Sequence, residues 1–122
     1  MWVEPGGGVP PHVHPSMEER FEVLEGELSL LGGRKWQTAG PGESVTVSAG
    51  TRHAYRNTGP GPAHATCLAT PPMTLEEFLT ETAAMARAGK FTRRGVPKSP
   101  RAALEGLRLL LRHRRMVVMR PV

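Results

Sequence analysis

Aspartate is missing from this sequence, cysteine occurs once, and aromatic residues make up only 5% of the chain. The eleven acidic side chains are therefore all glutamates, an absence of aspartate for which we have no functional account. One cysteine, Cys67, excludes an internal disulfide framework and fits a reducing cytosol. So few aromatics leave the core to be built mainly from Leu, Val, Ala and Met. No apolar stretch approaches the ~20 residues needed to span a bilayer, and no basic start leads into an apolar run. The expected protein is soluble and cytoplasmic, with no membrane partner.

What is abundant is turn-forming residues, with 14 glycines and 12 prolines in 122 residues. That length makes one domain with a single modest core, and that composition favours many short strands over a helical bundle. The net charge of +5 hides a split. Residues 1–86 hold five Lys or Arg against ten glutamates, net −5, whereas residues 87–122 hold eleven Lys or Arg and only Glu105, net +10. The basic excess thus belongs to the C-terminal segment. Without a recognition motif or interleaved aromatics its arginines read as a solvated helix face, and no nucleic-acid partner is expected.

Residues 1–72 read as a β-barrel unit. Glu19 to Leu24 alternates around Phe21 and Val23, Leu28 and Leu30 form a second run ended by Gly32-Gly33, and Trp36 to Ala39 forms a third. Val45 and Val47 alternate with polar neighbours, His53, Tyr55 and Asn57 share one face, and Ala63 to Ala69 is a last strand of small residues. Such short strands between turns indicate a sandwich or barrel. After Pro71-Pro72 the period becomes helical, and residues 73–122 read as a C-terminal helical extension, not an independent domain. Thr74 with Glu77 forms a capping box, and Leu75, Phe78, Leu79, Thr82 and Met85 follow at helical spacing. Ser99-Pro100 opens a second helix, with an expected inward stripe of Ala103, Leu104, Leu107, Leu110 and Leu111. Met116 to Met119 reads as a short closing strand.

The chemistry-bearing residues lie in the first unit. His12 and His14 are separated by one residue, so on a strand both imidazoles face the same side. Glu19 shares parity with Phe21 and Val23, and Glu18 with the outward Arg20 and Glu22, so Glu19 is the preferred inward carboxylate. His53 is the candidate fourth donor. The spacing of these residues forms two blocks: Gly6, five residues, His12, one, His14, four, Glu19, six, Gly26; then Gly42, five, Ser48, one, Gly50, two, His53, three, Asn57. The 15 residues between Gly26 and Gly42 separate them.

These blocks resemble the two motifs of the cupin superfamily at every defining position but Ser48, where a Pro is usual. The resemblance covers roughly residues 3–70. It implies an all-β jelly-roll barrel, here with a C-terminal α-helical extension, and one divalent metal ion (Fe, Mn, Ni, Zn or Cu) held by His12, His14, Glu19 and His53. It further implies action on a small oxygen-rich molecule, of which a quercetinase-like dioxygenase is one form, with Glu19 as both ligand and catalytic proton acceptor. Tyr55, on the face of His53, is the candidate substrate-binding residue. The alternative is a small-molecule-binding or sensor cupin without turnover. Cys67 is expected to be a small buried thiol.

Family members usually have one or two strands before the first glycines, whereas this chain begins within one. The expected consequences are three: a barrel lacking an edge, an edge filled by a partner chain or by Met116–Met119, or a true start further upstream. An open apolar edge associates readily, so a homodimer is expected.

Overall fold

The computed structural model describes residues 1–93 and 95–120. Among these residues nine strands and two helices follow one another as β1 (Trp2–Val3), β2 (Gly8–Val13), β3 (Glu18–Glu25), β4 (Leu28–Gly32), β5 (Lys35–Ala39), β6 (Ser44–Val47), β7 (His53–Arg56), β8 (Ala63–Thr70), α1 (Leu75–Arg87), α2 (Pro100–Arg112) and β9 (Val118–Met119). Two antiparallel sheets, ordered β1-β8-β3-β6 and β5-β4-β7-β2-β9, face each other. This is a jelly-roll barrel carrying C-terminal helices.

Alternation along each strand explains why the sheets close on one another. In β3 the residues Glu19, Phe21 and Val23 point inward and are 6%, 2% and 0% exposed, while Glu18, Arg20 and Leu24 stay outside. Leu28 and Leu30 on β4, Val47 on β6, and Ala63 and Ala65 on β8 meet them in one core. Gly26 turns β3 into β4 at φ +71°, and a Cβ there would lie 2.5 Å from the carbonyl oxygen of Pro62. Gly26→Ala is therefore expected to cost more than about 1–2 kcal/mol. The check is urea unfolding, with a lower midpoint at unchanged slope; an unmoved midpoint would show that the turn relaxes without cost.

The first and last strands both join sheet edges. The Met116–Met119 segment supplies β9, which pairs with β2 through His12↔Met119 and Val13↔Val118. At the other sheet β1 pairs with β8 through Trp2↔His64 and Val3↔Ala63 only. A second small core forms where Met17, Met116 and Val117 meet the half-buried Ala69, Leu75, Phe78 and Leu110. Among the described residues no helix is long and apolar enough to cross a membrane.

The helices depart from the sequence reading in two respects. Thr74 stands at the α1 cap but makes no cap bond with its side chain; its Oγ1 instead pairs with His113 Nδ1 at 2.9 Å. In α2 the inward residues are Ala102 and Leu109, whereas Ala103, Leu104, Leu107 and Leu111 of the expected stripe point to solvent. His113, just beyond α2, sets this rotation. It is buried, is tied to Thr74 and to Glu81 Oε1 at 2.9 Å, and lies edge-on to Phe78. Pairing of Glu105 with Lys90 holds the other end of the same side.

Candidate metal centre

The antiparallel pairing of β2 with β7 places His12 opposite His53, and His14 follows immediately after β2. Its carbonyl accepts from Gly50 N at 2.9 Å, which ties the two histidine-bearing segments together. The three rings gather with centroids 4.2 Å (His12–His53), 4.9 Å (His12–His14) and 5.0 Å (His14–His53) apart. Their ligand atoms all lie within 4.8 Å of one another, so the three imidazoles can hold a metal ion. Glu19 enters from the facing sheet, with Oε1 2.6 Å from His14 Nε2 and Oε2 3.6 Å from His53 Nε2. Glu18 is exposed.

Each imidazole is aimed by its other nitrogen. The Nδ1 atoms lie 2.8 Å from Pro10 O (His12), 2.8 Å from Met116 O (His14) and 2.9 Å from Thr51 O (His53). A carbonyl only accepts, so each Nδ1 carries the proton and donates. The Nε2 atoms are left to face the centre, the arrangement in which outer-shell carbonyls orient metal-bound histidines.

Two features fit a bound cation. His53 Nε2 is buried without a hydrogen-bond partner, and an orphaned buried polar atom costs about 1–3 kcal/mol unless something occupies it. His14 has both nitrogens at hydrogen-bond distance from acceptors, so its contact with Glu19 needs a proton between Nε2 and Oε1. A metal ion would supply positive charge in place of that proton. Burial, reinforced by His53, lowers the His12 imidazole to about 4, which keeps its lone pair free at neutral pH. Burial alone would raise the Glu19 carboxyl, but the hydrogen bond with His14 and the nearness of His53 outweigh it and hold the group well below the usual carboxylate range.

Tyr55 lies two residues beyond His53 on the same face, half-buried, with its ring 5.9 Å from Phe21. Burial, then Cys67 and Glu19, push its phenol up to about 12. Cys67 departs from the expected buried thiol. Beyond Ala63 and His64 no strand among the described residues covers the outer side of β8, and the residue is open to solvent. Its sulfur is turned inward and donates to Glu19 Oε2 at 3.6 Å. Burial of that sulfur and the adjacent carboxylate push the thiol up to about 12. The β3–β8 register, Glu19↔Ala69 and Phe21↔Cys67, makes Cys67 the diagonal neighbour of Glu19. Strand parity combined with that pairing was the signal for this contact. The Met116 carbonyl on His14, 102 residues away in the chain, had no such signal.

The family model described as the cupin domain matches residues 1–69. No curated protein matches the chain. Among solved structures, a protein from Thermus thermophilus is 28% identical with a TM-score of 0.54, the match covering 56% of this chain and 65% of that one. A predicted oxalate decarboxylase from Thermotoga maritima is 25% identical with a TM-score of 0.55, covering 57% and 60%. A recombinant oxalate oxidase in complex with glycolate is 26% identical with a TM-score of 0.50, covering 56% and 37%. The matched region thus spans less than two thirds of each of these chains.

Proposed function

This chain belongs to the cupin superfamily, and on that premise we propose that it is a metal-dependent enzyme acting on a small oxygen-rich molecule, of the dioxygenase kind. One observation carries the reading: three imidazoles, each anchored through Nδ1 to a backbone carbonyl, turn their Nε2 atoms together, and that of His53 is buried without a partner. His12, His14, His53 and Glu19 would hold one divalent ion; imidazole and carboxylate donors without thiolate admit Fe, Mn, Ni, Zn or Cu. When bound, the ion supplies Lewis acidity to an oxygen chelate such as an enediol, a catechol, a hydroxyketone or a 2-oxoacid.

The remaining chemistry is that of the chain's own residues. Glu19, held ionised, accepts the proton of a substrate hydroxyl at Oε2 while Oε1 stays with His14. Cys67 donates to Oε2 and so directs the carboxylate. Tyr55 keeps its proton at neutral pH and donates from its hydroxyl to a substrate oxygen. Phe21, Val23, Val47 and Ala65 wall the interior and exclude water. The oxalate- and glycolate-handling descriptions of two structural neighbours support a small oxygen-rich acid, and a quercetinase-like flavonol dioxygenase is a second form of the same chemistry.

A binder without turnover has its own supporting observation. Tyr55 and Cys67, both pushed up to about 12, are not bases at neutral pH, which leaves Glu19 as the proton acceptor on its own. Metal-dependent uptake of O2 with a flavonol, catechol or diketone supports the enzyme; saturable binding with no product supports the binder. The open outer side of β8 supports association of two copies.

The decisive experiment is elemental analysis of the purified protein beside His53→Ala. About one metal per chain is expected in the wild type, and less than about a tenth of that in the variant, because each ligand contributes a large share of a site's affinity. Equal metal content in the two proteins would refute the site.

A further inference from the structure

Two patches on this chain expose apolar side chains beside charges of opposite sign. The first is the outer side of α2, where Leu104, Leu107 and Leu111 are 47%, 53% and 52% exposed. Their spacing of three, four and seven puts them in one stripe, turned away from the inward Ala102 and Leu109. Arg101 and Arg108 stand three before and four after Leu104, and Arg108 stands three before Leu111, so the stripe has a basic margin. Arg112 is engaged with Glu81 and Arg101 reaches only Glu105 of its own helix, at 3.7 Å. Arg108 makes no ion pair among the described residues.

The second patch is the outer side of the β1-β8-β3-β6 sheet. Cross-strand pairs there are His64↔Glu25, Thr66↔Glu22, Leu68↔Arg20 and Thr70↔Glu18, and Trp2 stacks on His64 with ring centroids 4.1 Å apart. Trp2, Leu24 and Leu68 are exposed among three glutamates and one arginine, and that arginine is tied to Ser44 Oγ at 3.3 Å. The charges decide which patch meets which. Two α2 stripes packed on each other bring two basic margins into one contact, and two sheet faces bring glutamates against glutamates, so either self-pairing repels. α2 laid on the sheet sets arginine against glutamate and leucine against leucine, and a helix over a sheet face is an ordinary layer of folded proteins.

We propose that two copies of this chain pair reciprocally, the leucine stripe of α2 from each lying on the outer face of β3 and β8 of the other. This rests on the association of two copies put forward above and names the surfaces that make it. Two different patches meet, so two contacts related by a twofold axis close the pair. α2 lies outside the residues 1–69 matched by the family model, so this contact belongs to the C-terminal extension of this chain.

The test is size-exclusion chromatography with light scattering on the full chain. A mass twice the 13.3 kDa of one chain is expected, falling towards that of one chain at high salt. Leu107→Asp and Leu68→Asp, at exposed positions on the two patches, should each raise the Kd of the pair by more than about 10-fold by placing a charge in the contact. The double variants Arg101→Glu/Arg108→Glu and Glu22→Arg/Glu25→Arg should each be monomeric alone and pair when mixed, because both contacts then join opposite charges again. Far-UV circular dichroism should match the wild type in all four. A dimer that survives both leucine variants, or double variants that stay apart on mixing, overturns the assigned surfaces and leaves association standing. A wild type that is monomeric throughout overturns the association reading as well. A monomer that binds phosphatidylserine vesicles, and loses them on Leu107→Asp, gives the stripe to a lipid surface and overturns the pairing.

Discussion

A chain ending at His113 is expected to lose its metal and most of its stability together. The residues removed look peripheral, because they follow the last helix and lie far from the histidine motifs in sequence. They nevertheless reach the centre in three ways. The Met116 carbonyl accepts from His14 Nδ1 at 2.8 Å. β9 pairs with β2 at His12 and Val13, and Arg120 N donates to Pro11 O at 3.0 Å. Met116 and Val117, 1% and 3% exposed, form the second core with Met17.

Magnitudes decide how much this matters. Complete burial of Met116 and Val117 is worth about 1.5–3 kcal/mol each, against a total stability of about 5–15 kcal/mol for a domain. The orphaned His14 Nδ1 adds about 1–3 kcal/mol if it stays buried. The truncated protein should therefore melt well below the full chain, and elemental analysis should find little metal in whatever remains folded. Met116→Ala separates packing from positioning, since it keeps the backbone carbonyl. It is expected to cost about 2–5 kcal/mol while retaining about one metal per chain. A truncated protein that binds metal like the full chain would show that the Met116 carbonyl does not orient His14.

The same contrast explains what could be read in advance. Glu19 is separable from Glu18 because strand parity is a strict period of two, and Phe21 and Val23 fix which parity is inward. His12 and His14 could be assigned to one side for the same reason, and the motif spacing identified the barrel. The face of α2 was not legible. Leu104, Leu107, Leu110 and Leu111 cover so much of the helix circumference that periodicity admits more than one inward face. The choice is made by His113, through bonds to Thr74 and Glu81 on another helix. Thr74 failed as a cap for the same reason, because its hydroxyl had a tertiary partner that no local rule anticipates. Backbone carbonyls are invisible to a reading of side chains, so the anchors of the three imidazoles were hidden even where the imidazoles themselves were evident.

Glu19→Gln is expected to lower both the metal affinity and the stability of the metal-free protein. As a carboxylate, Glu19 brings one negative charge to a site whose other donors are neutral imidazoles, and it is only 6% exposed. A divalent ion gains that charge at short range in a poorly hydrated setting, so its removal should weaken Zn²⁺ binding by more than about 100-fold, beyond the 10–100-fold typical of outer-shell partners. Without metal the carboxylate still matters. A buried carboxylate carries a desolvation cost, but the contacts of Glu19 with His14 and His53 more than offset it, and removing one partner of a buried pair is strongly destabilising. The amide of Gln has nearly the same shape, accepts through its oxygen and can still meet His14, which limits the loss. The metal-free variant should therefore unfold below the metal-free wild type, by up to about 3–5 kcal/mol, the cost of removing one partner of a buried pair. Thermal melts with and without Zn²⁺ measure both quantities, because a ligand at 100 times its Kd stabilises by about 2.7 kcal/mol. The zinc-dependent rise in Tm should be large in the wild type and almost absent in the variant at the same zinc concentration. An equal rise in both would remove Glu19 from the ligand set and leave a centre of three histidines.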